Sequence, residues 1–158
     1  MLGPVTIDTA ACPSGDERVV LFGLLAETNA RLSRDLATTL EAECALPLAW
    51  FDVLLRLRRA PEGRLKMSQM ADAIVHSTGG TTRLVDRLEE AGLVARQNCP
   101  NDRRAVYVAI TPAGNARLDG ALAVHLAFLD RQLTARLSGD ERGALAGLLA
   151  KLGAPTAL

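Results

Sequence analysis

Apolar residues recur every three or four positions through most of this chain, and every second position in one short stretch. Phe22, Leu25, Asn29, Leu32, Leu36 and Leu40 form a stripe that predicts a long amphipathic helix from Glu17 to near Cys44. Pro47 opens a second helix, Leu48 to about Arg59, with Trp50, Val53, Leu54 and Leu57 in step. Ala60 to Gly63 reads as a turn, and Leu65-Lys66-Met67 as a short strand. Ser68 is then expected to cap a helix with Met70, Ala71, Ile74 and Val75 inward, followed by a turn at His76-Ser77.

The next stretch, Ser77 to Gly114, carries the densest signals. Ser77 is a good N-cap residue, and Thr81, Leu84, Val85 and Leu88 mark one buried helical face. Gly79, Thr82, Arg83, Asp86 and Arg87 lie on the other face. Gly92 fits the left-handed position that ends a helix, with Leu93 packing back on Leu88. The period then shortens to two: Val94 to Gln97 and Ala105 to Ile110 read as paired strands, with Val106, Val108 and Ile110 on one face and Tyr107 on the other. Asn98 to Arg104 is a turn-rich tip. Thr111-Pro112 starts another helix, with Leu118, Leu122, Leu126, Leu129 and Leu133 in step. Ser138 and Glu141 form a capping box for a last helix, which is expected to bury Leu145, Leu148, Leu149 and Leu152.

The pattern is mainly α. A polar-faced helix followed by a basic-tipped hairpin is the layout of a winged helix-turn-helix, whose helix enters a major groove of DNA and whose tip reaches a minor groove or phosphate. The chain divides into a flexible N-terminus (1–16), a helical dimerisation region (17–45 and 112–153), a winged helix-turn-helix DNA-binding region (46–111) and a tail (154–158). A two-fold dimer would bury the Leu-rich outer helices and present two recognition helices about one turn of DNA apart.

Net charge is zero over 158 residues, which at first disfavours a nucleic-acid partner. Its distribution reverses that. Arg56 to Arg117 holds eleven Arg and Lys against six Asp and Glu, leaving the rest of the chain acidic by the same margin. No apolar run approaches a membrane span and no signal peptide is visible at the start, so the expected compartment is the cytoplasm, with no membrane partner.

Thr82-Arg83-Leu84-Val85-Asp86-Arg87-Leu88-Glu89, Ala91-Gly92-Leu93-Val94, Asp102-Arg103-Arg104 and Thr111-Pro112-Ala113-Gly114 together resemble the MarR family of bacterial transcriptional regulators. More loosely, the resemblance runs from Glu17 to Leu152. It implies a homodimer with interlocked first and last helices, bound to a pseudo-palindromic operator in double-stranded DNA. The candidate DNA-binding residues are Ser77, Thr78, Gly79, Thr82, Arg83, Arg87, Asp102, Arg103 and Arg104. Threonine hydroxyls bond bases or phosphates, and arginine reads guanine with two hydrogen bonds. Arg87 is placed to reach phosphate or pair with a nearby acid. The resemblance implies that Arg104 enters the minor groove and that Asp102 steadies the tip. Family members often carry Pro and Ser where Thr78 and Gly79 stand, and a larger apolar residue at Thr81. Gly79-Gly80 weakens the first turn by up to about 1 kcal/mol per glycine relative to alanine.

The family also commonly binds small aromatic or phenolic anions in a cleft walled by the second helix, losing DNA affinity. That makes Trp50, Asp52 and His125 candidate ligand contacts, with plain core, a solvated charge and a structural histidine as the alternatives. Cys12, Cys44 and Cys99 are odd in number and widely spaced, as in a reducing compartment. Peroxide-sensing relatives place a cysteine near Val20-Leu21-Phe22, where none stands here; Cys99, beside basic residues, is the remaining redox candidate, with a wing-tip turn residue without redox duty as the favoured reading. No catalytic constellation, metal site or cofactor motif emerges, which disfavours an enzyme. The sequence thus leads to a dimeric DNA-binding regulator, a repressor relieved by a small aromatic ligand. The alternatives are a winged-helix module that binds protein and a regulator responding to cysteine oxidation.

Overall fold

The computed structural model describes residues 15–73, 78–99 and 102–153, with the side chains of 71–73, 78–79, 99 and 102–105 outside that description. The elements run α1 (Glu17–Cys44), α2 (Leu48–Arg59), β1 (Arg64–Lys66), α3 (Met67–Ala73), α4 (Thr78–Glu90), β2 (Val94–Cys99), β3 (Asp102–Ile110), α5 (Pro112–Leu129) and α6 (Gly139–Leu152). The fold is mainly helical, with one antiparallel sheet in the order β1-β3-β2. Contacts divide the chain into a unit ending at Leu36 and a unit from Ala37 onward.

The first unit holds the N-terminal twenty residues of α1. Asp16 precedes the helix and accepts from the Arg18 backbone N–H at 2.9 Å, satisfying one of the free donors of the first turn. Val19, Leu21, Phe22, Leu24 and Leu25 are exposed, Phe22 at 73%. The expected stripe therefore reaches full burial only at Leu40, in the second unit.

In the second unit the core gathers Leu40, Leu46, Phe51, Val53, Leu54, Leu57, Met70, Val85, Leu88, Val94, Val108 and Leu118. Helix α1 ends on Ala45 at φ 46, a left-handed position where alanine stands in place of glycine. The Arg117 guanidinium donates to the Ala45 carbonyl at 2.8 Å, tying α5 to this corner. In α2 the core place falls to Phe51; Trp50 is half-buried.

Several local expectations are corrected. The first strand is Arg64–Lys66, one residue earlier than expected, and it runs directly into α3. Ser68 therefore lies inside α3 and does not cap it; the Lys66 backbone N–H donates instead to Gln69 Oε1 at 3.0 Å. Pairing of Lys66 with Tyr107 holds the strand to that residue and moves the helix start. The hairpin strands extend to Cys99 and from Asp102, so most of the expected tip is strand, with a register shift between Asn98 and Cys99. Ile74, Val75, His76 and Ser77 lie outside the described residues.

Helix α5 is capped as expected: Thr111 Oγ1 accepts from Gly114 N–H, and Pro112 follows. Its buried face is Gly114, Leu118, Ala121 and Phe128, however, and Leu126 is exposed. The α-helix gives way at Asp130 to a π turn through Thr134. Ser138 and Glu141 complete the capping box of α6. Leu145, Leu148, Leu149 and Leu152 are exposed in this chain, not buried.

Candidate nucleic-acid interface

Helix α4 buries Val85 and Leu88 completely, with Thr81 beside them at 1% exposure. The Thr81 hydroxyl is buried with no hydrogen-bond partner among the described residues. Thr82, Arg83 and Arg87 project from the exposed side. The helix ends as the glycine predicts: Gly92, at φ 71, donates to Glu89 O at 2.8 Å, and Leu93 donates to Leu88 O at 2.9 Å. This 5→2 and 6→1 pair is the Schellman closure.

The chain then folds back onto that stop. Leu93 O accepts from Thr111 N–H at 3.1 Å, and the Thr111 hydroxyl donates to Gly92 O at 2.7 Å. A Cβ built on Gly114 would lie 2.1 Å from Leu93 O, so only glycine lets α5 start this close. Gly92-Leu93 and Thr111 to Gly114 are thus one joint, where α4, both wing strands and α5 meet.

A second tie joins the wing to α4. Arg96 on β2 donates to Asp86 at 2.6 Å and also pairs with Glu89, whose Oε1 accepts the Arg96 backbone N–H at 2.8 Å. The Arg96 backbone bond, with its guanidinium helping, holds the Glu89 carboxyl below its usual range despite partial burial. Burial works against the Arg96 charge, but the two carboxylates outweigh it and raise its pKa. Arg96 was absent from the sequence-based candidates. Alternation puts it on the same face as Val94. An arginine on the core side of a strand signals a paired charge.

The result is an uneven charge distribution along α4. Two of its three acids, Asp86 and Glu89, face Arg96, while Arg83 and Arg87 form no ion pair among the described residues. The joint orients the hairpin that carries Asp102, Arg103 and Arg104; their backbone lies in β3 and their side chains are outside the described set. The same holds for Thr78 and Gly79 in the first turn of α4, and for Cys99 at the end of β2; Ser77 and Cys12 are outside entirely. Cys44 is half-buried, its thiol 3.1 Å from Leu40 O.

The three ligand candidates divide. His125 sits edge-on to Phe51, with ring centroids 4.9 Å apart and planes at 86°. Phe51, not Trp50, is therefore the aromatic partner of His125. Burial lowers the His125 pKa; the Asp52 charge opposes that and the Arg59 charge adds to it. Arg58 was also missed. It links α2 to α5 by donating to Asn115 Oδ1 at 3.0 Å and Asn115 O at 2.6 Å, and it pairs with Asp119. A shallow groove elsewhere is lined by Ala37, Thr38, Glu41, Ala42, Pro47 and Leu48, and contains none of the three candidates. Among the described residues no helix is long and apolar enough to cross a membrane.

The MarR family model matches residues 46–105. YkoM of Bacillus subtilis, an uncharacterized HTH-type transcriptional regulator, is 34% identical over 91 residues, which are 58% of each protein. The chain thus spans little more than half the length of that relative. Wild-type MarR from E. coli, in its apo form, is 30% identical; the match covers 84% of this chain and 95% of that one, with a TM-score of 0.71. A mutant of the same protein, solved with operator DNA, gives 29% identity, coverage of 90% and 99%, and a TM-score of 0.76. BpsR of Bordetella bronchiseptica, whose DNA binding is regulated by 6-hydroxynicotinic acid, gives 25% identity, coverage of 84% and 98%, and a TM-score of 0.71. Sequence match and fold agree with the polar-faced α4, its glycine stop and the wing that folds back onto it, and this chain belongs to the MarR family of winged helix-turn-helix transcriptional regulators.

Proposed function

We propose that the protein is a dimeric, sequence-specific DNA-binding regulator, and that it acts as a cytoplasmic repressor relieved by a small aromatic ligand. The charge distribution of α4 carries this reading. Arg96 pairs with two of the three acids of the helix, Asp86 and Glu89, leaving Glu90 exposed at its C-terminal end, and Arg83 and Arg87 stand exposed without ion partners among the described residues. An arginine held this way is available to guanine or phosphate. Ser77, Thr78, Gly79 and Thr82 complete the helix contribution, and Asp102, Arg103 and Arg104 that of the wing. Residues 46–111 form the DNA-binding region. The MarR–operator complex supports the assignment by analogy.

Residues 17–45 and 112–153 form the dimerisation region in this reading. Exposed leucines on α1 and, separately, on α6 support it, because contiguous apolar surface of this kind marks an interaction site. A two-fold dimer matches a pseudo-palindrome with half-sites about 10 bp apart. Trp50, Asp52 and His125 contribute the ligand contacts, by analogy with the aromatic acid that regulates BpsR.

Selection of bound duplexes from random DNA, followed by a salt titration, tests the reading. The selected sites should be palindromic, and Arg83→Ala should cost about 1–3 kcal/mol and relax one position per half-site. Binding without sequence preference would overturn it. Aromatic carboxylates should release labelled operator, and unchanged affinity across them removes the ligand arm.

A further inference from the structure

The outer face of the wing sheet carries an aromatic ring beside two cations. Lys66 pairs with Tyr107 and Arg64 with Ala109 in the antiparallel register, so Arg64, Lys66 and Tyr107 share one face. Strand β2 adds Gln97 opposite Tyr107 and Ala95 opposite Ala109 on that face. The other face holds Leu65 opposite Val108, and Val108 is fully buried. The Arg64 guanidinium carbon lies 5.0 Å from the Tyr107 ring centroid, and the Lys66 ammonium 6.0 Å. A tyrosine ring attracts cations at this range without neutralising them. Arg64 also pairs with Glu62; Lys66 is exposed and forms no ion pair among the described residues.

We propose that this face is a contact surface for the phosphate backbone of duplex DNA flanking the bases read by α4. The proposal rests on the DNA-binding reading above and extends its footprint. Charge complementarity is the first argument: the face offers two oriented cations, small alanines that permit close approach and, among the described residues, a single acid, Glu62, at its edge beside Arg64. Continuity is the second. Strand β3 runs from the tip residues Asp102 to Arg104 directly to Tyr107. At about 3.3 Å per residue, Tyr107 lies about 10 Å behind Arg104. A minor groove is about 6 Å wide. With the tip seated in that groove, Lys66 and then Arg64 follow outside it, on the side from which the strand enters, facing the phosphates of the near lip and beyond.

The test compares the full chain with Arg64→Gln/Lys66→Gln on two duplexes. One carries the selected palindrome with long flanks, and the other is cut back to the half-sites. On the long duplex the variant should lose about two units of salt slope, one per phosphate contact. On the short duplex the slopes should coincide, and base preference should be unchanged on both. Lys66→Gln alone, at an exposed position, should lose about one unit and serves if the double variant is unstable. Equal slopes on the long duplex would overturn the proposal while leaving the DNA-binding reading intact. A wild-type chain that binds no duplex in a salt-dependent way would remove both.

Discussion

Leu88 and Leu93, at the joint between α4 and the wing, are at most 9% exposed, whereas Leu145, Leu148, Leu149 and Leu152 on α6 are 40% to 65% exposed. Both regions are rich in leucine and both helices have well-formed ends. They differ in where the chain goes after the helix. Beyond α4 it turns at Gly92, runs out and back through the hairpin, and returns through Thr111 to bond the Gly92 and Leu93 carbonyls. Beside α6 no described element covers the leucine face. Good local signals make a helix, and burial needs a second surface. The joint has one within the chain, and the face of α6 has none among the described residues.

The largest effect should come from charging the open face. Leu145→Asp/Leu149→Asp should convert the proposed dimer to a monomer or unfold it, since unpaired charge in an interface costs about 3–5 kcal/mol. Light scattering at micromolar concentration reads the mass against the 16.8 kDa chain. A native monomer from the unmodified chain would break the comparison, because α6 would then be open in solution too. Next is the closed joint. Gly114→Ala places a methyl carbon against Leu93 O and should cost about 3 kcal/mol through displaced backbone. A thermal or urea transition within about 0.5 kcal/mol of wild type (the scatter of a neutral surface change) would show that the joint yields.

Arg96→Met tests the second tie. Its ion pairs are partly exposed, so the loss should be roughly 1 kcal/mol or less. The pH dependence is more diagnostic. Glu89 has a lowered pKa, so its contribution is present above the ordinary carboxylate range and is lost as pH falls through the depressed value. In Arg96→Met that acid-side loss should shrink. His125 acts at higher pH. Its pKa is lowered by burial, so the unfolded chain takes up the proton first, and stability falls as pH drops below the ordinary value of 6.5. His125→Gln should flatten that part of the profile, as read by the melting temperature between neutral and mildly acidic pH.

The smallest change is a gain. Ala45 holds a left-handed backbone at φ 46, which costs a residue with a Cβ about 1 kcal/mol. Ala45→Gly should recover part of that, with the Arg117 bond to its carbonyl preserved. A loss of stability would mean that the Cβ packs usefully at this corner.

The features that were legible in the sequence depend on a few neighbouring residues. The Gly92 stop, the Thr111-Pro112 start and the Ser138–Glu141 box are each complete within four to six positions, so local backbone geometry and at most two side chains determine them. The exposed side of α4, with Thr82, Arg83 and Arg87, followed from helical period alone. The face of α5 did not. Its apolar residues surround the helix, so Leu118-Leu122-Leu126 and Leu118-Ala121-Phe128 have equally good spacing. Only the position of α2, with Phe51 against His125 and Arg58 against Asn115, selected the second. The Arg96 clamp also escaped, because Asp86 and Glu89 become its partners only when the hairpin folds back beside α4. Local order was written in runs of a few residues, whereas the choice of buried face and the pairing of distant charges are properties of surfaces brought together, and a period in one dimension carries no information about which surface arrives.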